Sequence, residues 1–235
     1  MTLSARNPRV RTQLRGALEH RDVAPILEIL GPMVTEARRE RLTRVIAGRI
    51  AAVTLVMDAP HDPHNGAAVV RSCDAFGVHQ IHVVERREAF TASTAVAKGT
   101  ERWVDVMAHR DTPSAVATLE RRRFTLVGTH PEGRLVPTEL PDISRLALVM
   151  GNEHDGISAD LAAACHHRVR VPMRGFVESL NVSVTAAILL QHATAGRAGD
   201  LDEEARQRLL ARYLVLSVPR ALDILDASGI RLTPA

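Results

Sequence analysis

The 235-residue chain is short of lysine, aromatic residues and cysteine, and each shortage excludes something. Lys98 is the only lysine, so 29 of the 30 basic side chains are arginines. The positive charge is therefore carried by planar guanidinium forks, which suit phosphate better than a point charge does. Aromatic residues make up 3% of the chain, too few to build a base-stacking platform, so contact with a nucleic acid would fall to arginine on phosphate and shape. The two cysteines, Cys73 and Cys165, have no metal-type spacing, which argues against a disulfide scaffold or a structural zinc; each reads as a small buried apolar residue. No long apolar run is present, and Met1-Thr2-Leu3-Ser4 does not start a charged-then-apolar leader. The reading is no membrane span, no secretory signal and a cytoplasmic protein.

What is present fits a soluble globular chain, 46% hydrophobic and 24% charged, long enough for one domain with appendages. Its charge is uneven. Residues 1–50 hold ten arginines against five acids, a net of +5, while the remaining 20 basic and 22 acidic residues give −2, together the overall +3. A basic amino-terminal segment on a near-neutral body suggests contact with a polyanion.

Residues 1–30 read as an arginine-rich arm with weak helical periodicity. Thr35 then opens an amphipathic helix to about Ile50, striped by Leu42, Val45, Ile46 and Ile50. Beyond it, short apolar runs at 53–57, 81–84, 124–127, 146–150 and 169–171 alternate with helical stretches near 65–76, 113–123, 158–165 and 181–195. Strands alternating with helices predict an α/β fold, a mostly parallel sheet with helices on both faces. After a short linker at 196–200, two terminal helices are expected, Leu201–Arg212 and Val218–Ala227. The division is a basic, mostly helical extension (1–50), a sheet domain (51–195) and a helical extension (196–235).

Ligands of open α/β sheets gather at the carboxyl ends of strands, and four such ends carry unusual residues. The first runs from Asp58 to Arg71, where Asn65 is placed to cap a helix, Gly66-Ala67-Ala68 leaves its start open, and Arg71 either pairs with Asp74 or serves a ligand. His61 and His64 are loop histidines with no third ligand at metal spacing, so no metal is expected. The second end is Gly128-Thr129-His130-Pro131. At the third, Gly151 to Ser158, Asp155-Gly156 makes a turn, Ser158 caps the next helix and Glu153 is an acid on a tight loop. The fourth, Val171 to Val184, offers Ser179, Asn181 and Ser183 where one cap suffices. Surplus polar groups need partners, and a bound ligand is a natural one.

Together these segments resemble the SPOUT superfamily of methyltransferases, most closely its TrmH-type tRNA (guanosine-18) 2′-O-methyltransferases. The motifs stand in family order over roughly residues 33–195: Asn65 with Arg71 six residues on; Gly151 to Ser158 as Gly-x-Glu-x-x-Gly-Ile-Ser; and Val171-Pro172-Met173 followed by Ser179-Leu180-Asn181-Val182-Ser183. The small-residue stretch from Ala92 to Val104 and the tail Leu201–Asp226 extend the likeness. The resemblance implies a deep trefoil knot, S-adenosylmethionine as methyl donor, tRNA as substrate and a homodimer. It implies donor contacts from Thr129, Gly151, Val171 and Leu180, a donor and ribose site shaped by Ser179 and Asn181, Glu153 as an acid, Asn65 as a positioning group and Arg71 as the catalytic arginine.

Glu178 departs from the resemblance, standing where glutamine is usual, and the stretch before Met33 has no counterpart. Proton removal by Arg71 is chemically awkward because guanidinium stays protonated; orienting the ribose suits it better. Three other readings stay open here: a ribose methyltransferase for another tRNA or ribosomal RNA position, a non-catalytic RNA-binding protein, and a metal-dependent hydrolase built on His61 and His64.

Overall fold

The computed structural model describes residues 8–85, 99–152 and 155–232. Two compact units are formed, Ile50–Ala198 and the pairing of Met1–Arg49 with Gly199–Ala235. In chain order the principal elements are α1 (Pro8–Glu19), α2 (Ala24–Leu30), α3 (Glu36–Ala47), β1 (Val53–Asp58), α4 (Pro63–Ala75), β2 (Gln80–Val84), β3 (Asp105–His109), α5 (Thr112–Arg121), β4 (Thr125–Thr129), β5 (Leu146–Met150), α6 (Ala159–Ala163), β6 (His167–Val169), α7 (Val182–Thr194), α8 (Glu203–Ser217) and α9 (Ala221–Ala227).

The larger unit is built on one six-stranded sheet of order β3-β2-β1-β5-β4-β6, with every described pairing parallel. The strand period of two distributes its side chains. Leu55, Met57, Ile81, Val83, Leu146, Leu148 and Met150 face one side, against Val69, Val70 and Cys73 of α4 and Ala186, Leu189, Leu190 and Ala193 of α7. Val56, Val84, Leu126, Ala147 and Val149 face the other, against Ala115 and Leu119 of α5 and Leu161 of α6. Helices thus cover both faces, as the uninterrupted apolar runs require: a strand buried on both sides has no polar alternation. Each such Leu or Val contributes ~2 kcal/mol of burial, so these two layers carry much of the unit's stability.

Some elements differ from the sequence expectation. β3 lies outside the expected strands; among the described residues it is an edge strand paired to β2 alone, and Asp105-Val106-Met107-Ala108-His109 is only partly buried, so its apolar signal is weak. β6 lies at His167–Val169 rather than 169–171, because Val127, Gly128 and Thr129 of β4 fix its register. α3 ends at Ala47, so Ile50 leaves the expected stripe and bridges Val78 instead, and Val45 is exposed.

The amino-terminal extension, expected to be mostly helical, holds α1 and α2, with Leu14, Leu18, Ile26 and Leu30 buried. α8 packs against α1, α2, α3 and α9, so the two ends of the chain share one core. Arg49, 1% exposed, donates from Nη2 to the Tyr213 hydroxyl at 3.1 Å inside it.

Candidate active site

The chain leaves β1 toward β2, while β5 lies on the other side of β1 and is followed by β4 and β6. Such a reversal opens a crevice at the carboxyl ends of the strands. Register brings the ends together: Met57 of β1 pairs Met150 of β5, Gly128 of β4 pairs Val149 of β5, and Thr129 pairs Val169 of β6. Thr129 at the end of β4, Gly151 directly after β5 and Val171 two residues past β6 therefore share one edge of three adjacent strands.

α4 is capped by Asp62, not Asn65: Asp62 Oδ1 accepts from the His64 N–H at 2.8 Å, and Pro63 occupies the first turn. A proline there needs no N–H partner, so the helix starts early and Asn65 lies within its first turn. Relieved of capping, Asn65 Oδ1 accepts from Asn181 Nδ2 at 3.0 Å, across 116 residues of sequence. Asn181 in turn caps α7, its Oδ1 accepting from Ser183 N at 2.8 Å and Ser183 Oγ at 2.6 Å. One amide side chain thus ties the first motif to the third and fixes which way its oxygen and nitrogen face. Ser179 and Leu180 are exposed just before this cap, and Glu178 is exposed too. Arg71 is exposed farther along α4.

Gly151 is required by contact. A Cβ there would lie 2.1 Å from the Gly156 carbonyl carbon and 2.4 Å from the Ile157 nitrogen. The loop folds back so tightly because Asn152 and Gly156 exchange backbone hydrogen bonds of 3.1 and 3.2 Å, and Asn152 Oδ1 takes the Asp155 N–H at 2.7 Å. Gly156 adopts φ +68°, a conformation open to glycine. Glu153, the acid expected on this loop, lies outside the described residues. Ser158 stands at the cap of α6, but its side chain makes no capping bond; its N–H donates to Asp58 Oδ2 at 2.8 Å.

Asp58 was not singled out by sequence reading. It is 1% exposed at the end of the central strand β1 and anchors the far end of the Gly151–Ser158 loop. The available signal was an acid closing the apolar run Val53-Thr54-Leu55-Val56-Met57, where a buried carboxylate needs donors. Close by, Gly128 faces Cys165: a Cβ at 128 would lie 3.0 Å from its sulfur. Burial pushes the Cys165 thiol up to about 11, opposed by the nearby Arg168 charge and reinforced by Asp58. That thiol is protonated at neutral pH and is no nucleophile.

A pair that sequence reading missed lies on the other wing of the sheet. His82 Nδ1 and His109 Nε2, buried on β2 and β3, are 2.8 Å apart, which requires one ring to donate and the other to accept. His61 and His64 belong to no group of three or more metal-ligating side chains among the described residues.

Residues 52–191 match the SpoU rRNA Methylase family. A tRNA (guanosine(18)-2′-O)-methyltransferase of Thermus thermophilus is 35% identical over 188 residues, which cover 77% of this chain and 97% of the relative. Among solved structures, the TrmH/SpoU tRNA modifying enzyme of A. aeolicus superposes with a TM-score of 0.71 at 27% identity, covering 78% of this chain and 98% of that one. The SpoU methyltransferase AviRb from Streptomyces viridochromogenes, solved in complex with the cofactor AdoMet, gives a TM-score of 0.56 at 26% identity over 60% of this chain and 58% of its own.

Proposed function

The chain belongs to the SpoU methylase family, and from that premise we propose that it methylates the ribose 2′-hydroxyl of guanosine 18 in the D-loop of tRNA, using S-adenosylmethionine. The observation that carries the reading is the Asn65–Asn181 hydrogen bond, which unites two motifs distant in sequence.

The residues present fit the donor. Gly151 lets its loop fold back tightly at the end of β5, and Thr129, Val171 and Leu180 supply polar and apolar surface around the same strand ends. When bound, S-adenosylmethionine supplies an electrophilic methyl group on a sulfonium. The chain's own task is to hold a ribose hydroxyl in line with that methyl and to let its proton leave. Asn181, locked by Ser183 and Asn65, presents a fixed amide edge toward that position, and Ser179 adds a hydroxyl beside it. Arg71 orients the ribose or its phosphate through its guanidinium fork, while a neutral or anionic neighbour takes the proton. Glu153, within the Gly151–Ser158 motif, and Glu178, directly before Ser179, are the carboxylates considered for that role.

Two wider features belong to the same proposal. The chain is knotted as a trefoil in this reading, which is supported by β6 lying between β4 and Leu135, flanked on both sides by an earlier stretch that then returns to β5. It also works as a cytoplasmic homodimer, supported by the run of exposed apolar side chains Met173, Phe176, Val177, Leu180 and Val184.

The test is methyl transfer from labelled donor to an unmodified tRNA transcript, beside a transcript in which guanosine 18 is replaced. Label on the first and none on the second is expected. Equal labelling of both overturns the position, and no labelling of either overturns the activity.

A further inference from the structure

Residues outside the donor site gather positive charge at the edge strand that leads into it. From Cys165 to Val177 the sequence reads Cys-His-His-Arg-Val-Arg-Val-Pro-Met-Arg-Gly-Phe-Val, with three arginines and no carboxylate. This stretch lies in a body, residues 51–235, where acids outnumber bases by 22 to 20. The segregation is therefore local and is not a by-product of overall composition.

Backbone contacts hold the group in place. β6 is bonded to β4 on one side, and on the other the Leu135 N–H donates to the Arg168 carbonyl while the Arg170 N–H donates to the Leu135 carbonyl, both at 3.0 Å. Gly133 lies against the same strand; a Cβ there would come within 2.5 Å of the Val169 carbonyl carbon. Val169 is buried in the core, so Arg168 and Arg170 turn away from it, and Arg134 sits between the two backbone-pinned residues Gly133 and Leu135. All three arginines are exposed, and none forms an ion pair among the described residues. Glu132 is the one acid in the 130–136 stretch. Arg174 lies farther on, within the apolar face proposed for a second copy.

Three like charges fixed on rigid backbone, with no carboxylate bonded to them, repel one another unless an anion is supplied from outside. The stretch that bears Arg168 and Arg170 runs straight into Val171–Asn181, so a polyanion reaching the site passes close to them. We propose that Arg134, Arg168 and Arg170 form a contact surface for the phosphate backbone of the RNA substrate, holding the strand as its ribose enters the site. The inference rests on RNA being the substrate, yet its measurement is of binding alone.

The experiment titrates an unmodified tRNA transcript against the full-length protein between 50 and 300 mM salt, by fluorescence anisotropy. The proteins compared are wild type, the triple variant R134Q/R168Q/R170Q and the charge-keeping R134K/R168K/R170K. Removing one phosphate neutralisation lowers the slope of log affinity against log salt by about 0.7–0.9, so the glutamine variant should lose roughly two units of slope. Its RNA affinity near 150 mM salt should fall by about tenfold or more, while the lysine variant stays close to wild type in slope. Donor binding by calorimetry should be the same in all three. An unchanged slope in the glutamine variant overturns the proposal, as does a matching loss of donor binding in both variants, which would mark a structural role. If the chain binds RNA with the expected slopes but transfers no methyl group, the contact surface stands and the catalytic reading fails.

Discussion

Asn181 does two jobs with one side chain. Its oxygen caps α7 through Ser183, and its nitrogen reaches Asn65 on α4. Asn181→Ala removes both. It should cost about 1 kcal/mol of stability from the missing cap, and it should lower kcat by about a hundredfold from the loosened site, read by thermal melts and single-turnover kinetics. Asn181→Asp keeps the cap but turns the group facing Asn65 from donor to acceptor, so its stability should hold while its activity falls. Asp58 is a second residue whose role is geometric. Asp58→Ala strands the Ser158 N–H and should destabilise by roughly 1–3 kcal/mol in denaturant titration, whereas Asp58→Asn, which still offers an oxygen, should cost less. Cys165 gives a pH signature: its thiol sits near 11 against an ordinary 9.0, so the folded state holds the proton more tightly than the unfolded. That contribution to stability is complete below about pH 9 and is lost as pH rises from 9 to 11. Peptide-resolved iodoacetamide labelling at pH 8 should find Cys165 slow in the native protein and fast in denaturant.

Among the elements, the Gly151–Ser158 loop is the least tolerant of change. Its turn brings the Gly156 carbonyl carbon to 2.1 Å from where a Gly151 Cβ would stand, and that neighbour is backbone that cannot swing aside. Gly151→Ala must therefore open the loop. A stability loss of about 1–3 kcal/mol and donor binding weakened beyond tenfold are the expected outcomes in melts and calorimetry. Wild-type donor affinity in that variant would mean the loop does not line the donor site. Helix starts show how the sequence misleads at this scale. Asn65 is a good capping residue three positions after Asp62-Pro63, and both placements satisfy local rules. Asp62 takes the cap because Pro63 fits the first turn, and that choice frees Asn65 for its distant partner.

For the whole molecule, the two termini make one helical unit whose core includes Leu14, Ile26, Leu30, Leu209 and Leu214. α8 touches α1, α2, α3 and α9, so either terminal segment alone would expose an apolar face. Leu30→Ala, at a fully buried position, should cost about 2–5 kcal/mol, measured as a shift in the unfolding of the full chain. A change within a few tenths of a kcal/mol would show that the amino-terminal helices do not share that core. Arg15, Arg21, Arg38, Arg39, Arg41 and Arg44 accordingly belong to a folded surface, whereas Arg49 is turned inward, buried beside Tyr213.

The sequence alone determined the α/β class, because strands buried on both faces read as unbroken apolar runs, and it marked three motif segments through glycines and surplus polar groups that local structure could not use. It could not show β3, an edge strand whose half-buried side chains leave little pattern, nor the packing of Leu14 and Ile26 in what reads as a charged arm. Only the tertiary structure decided that Asn65 meets Asn181, that Asp58 holds Ser158, and that Arg134 comes beside Arg168 and Arg170. Each pairing joins residues far apart in the chain, set by strand register and by the fold of a loop over another strand. Local propensity carries no record of such distances, and so the chemistry of these groups was legible before their partners were.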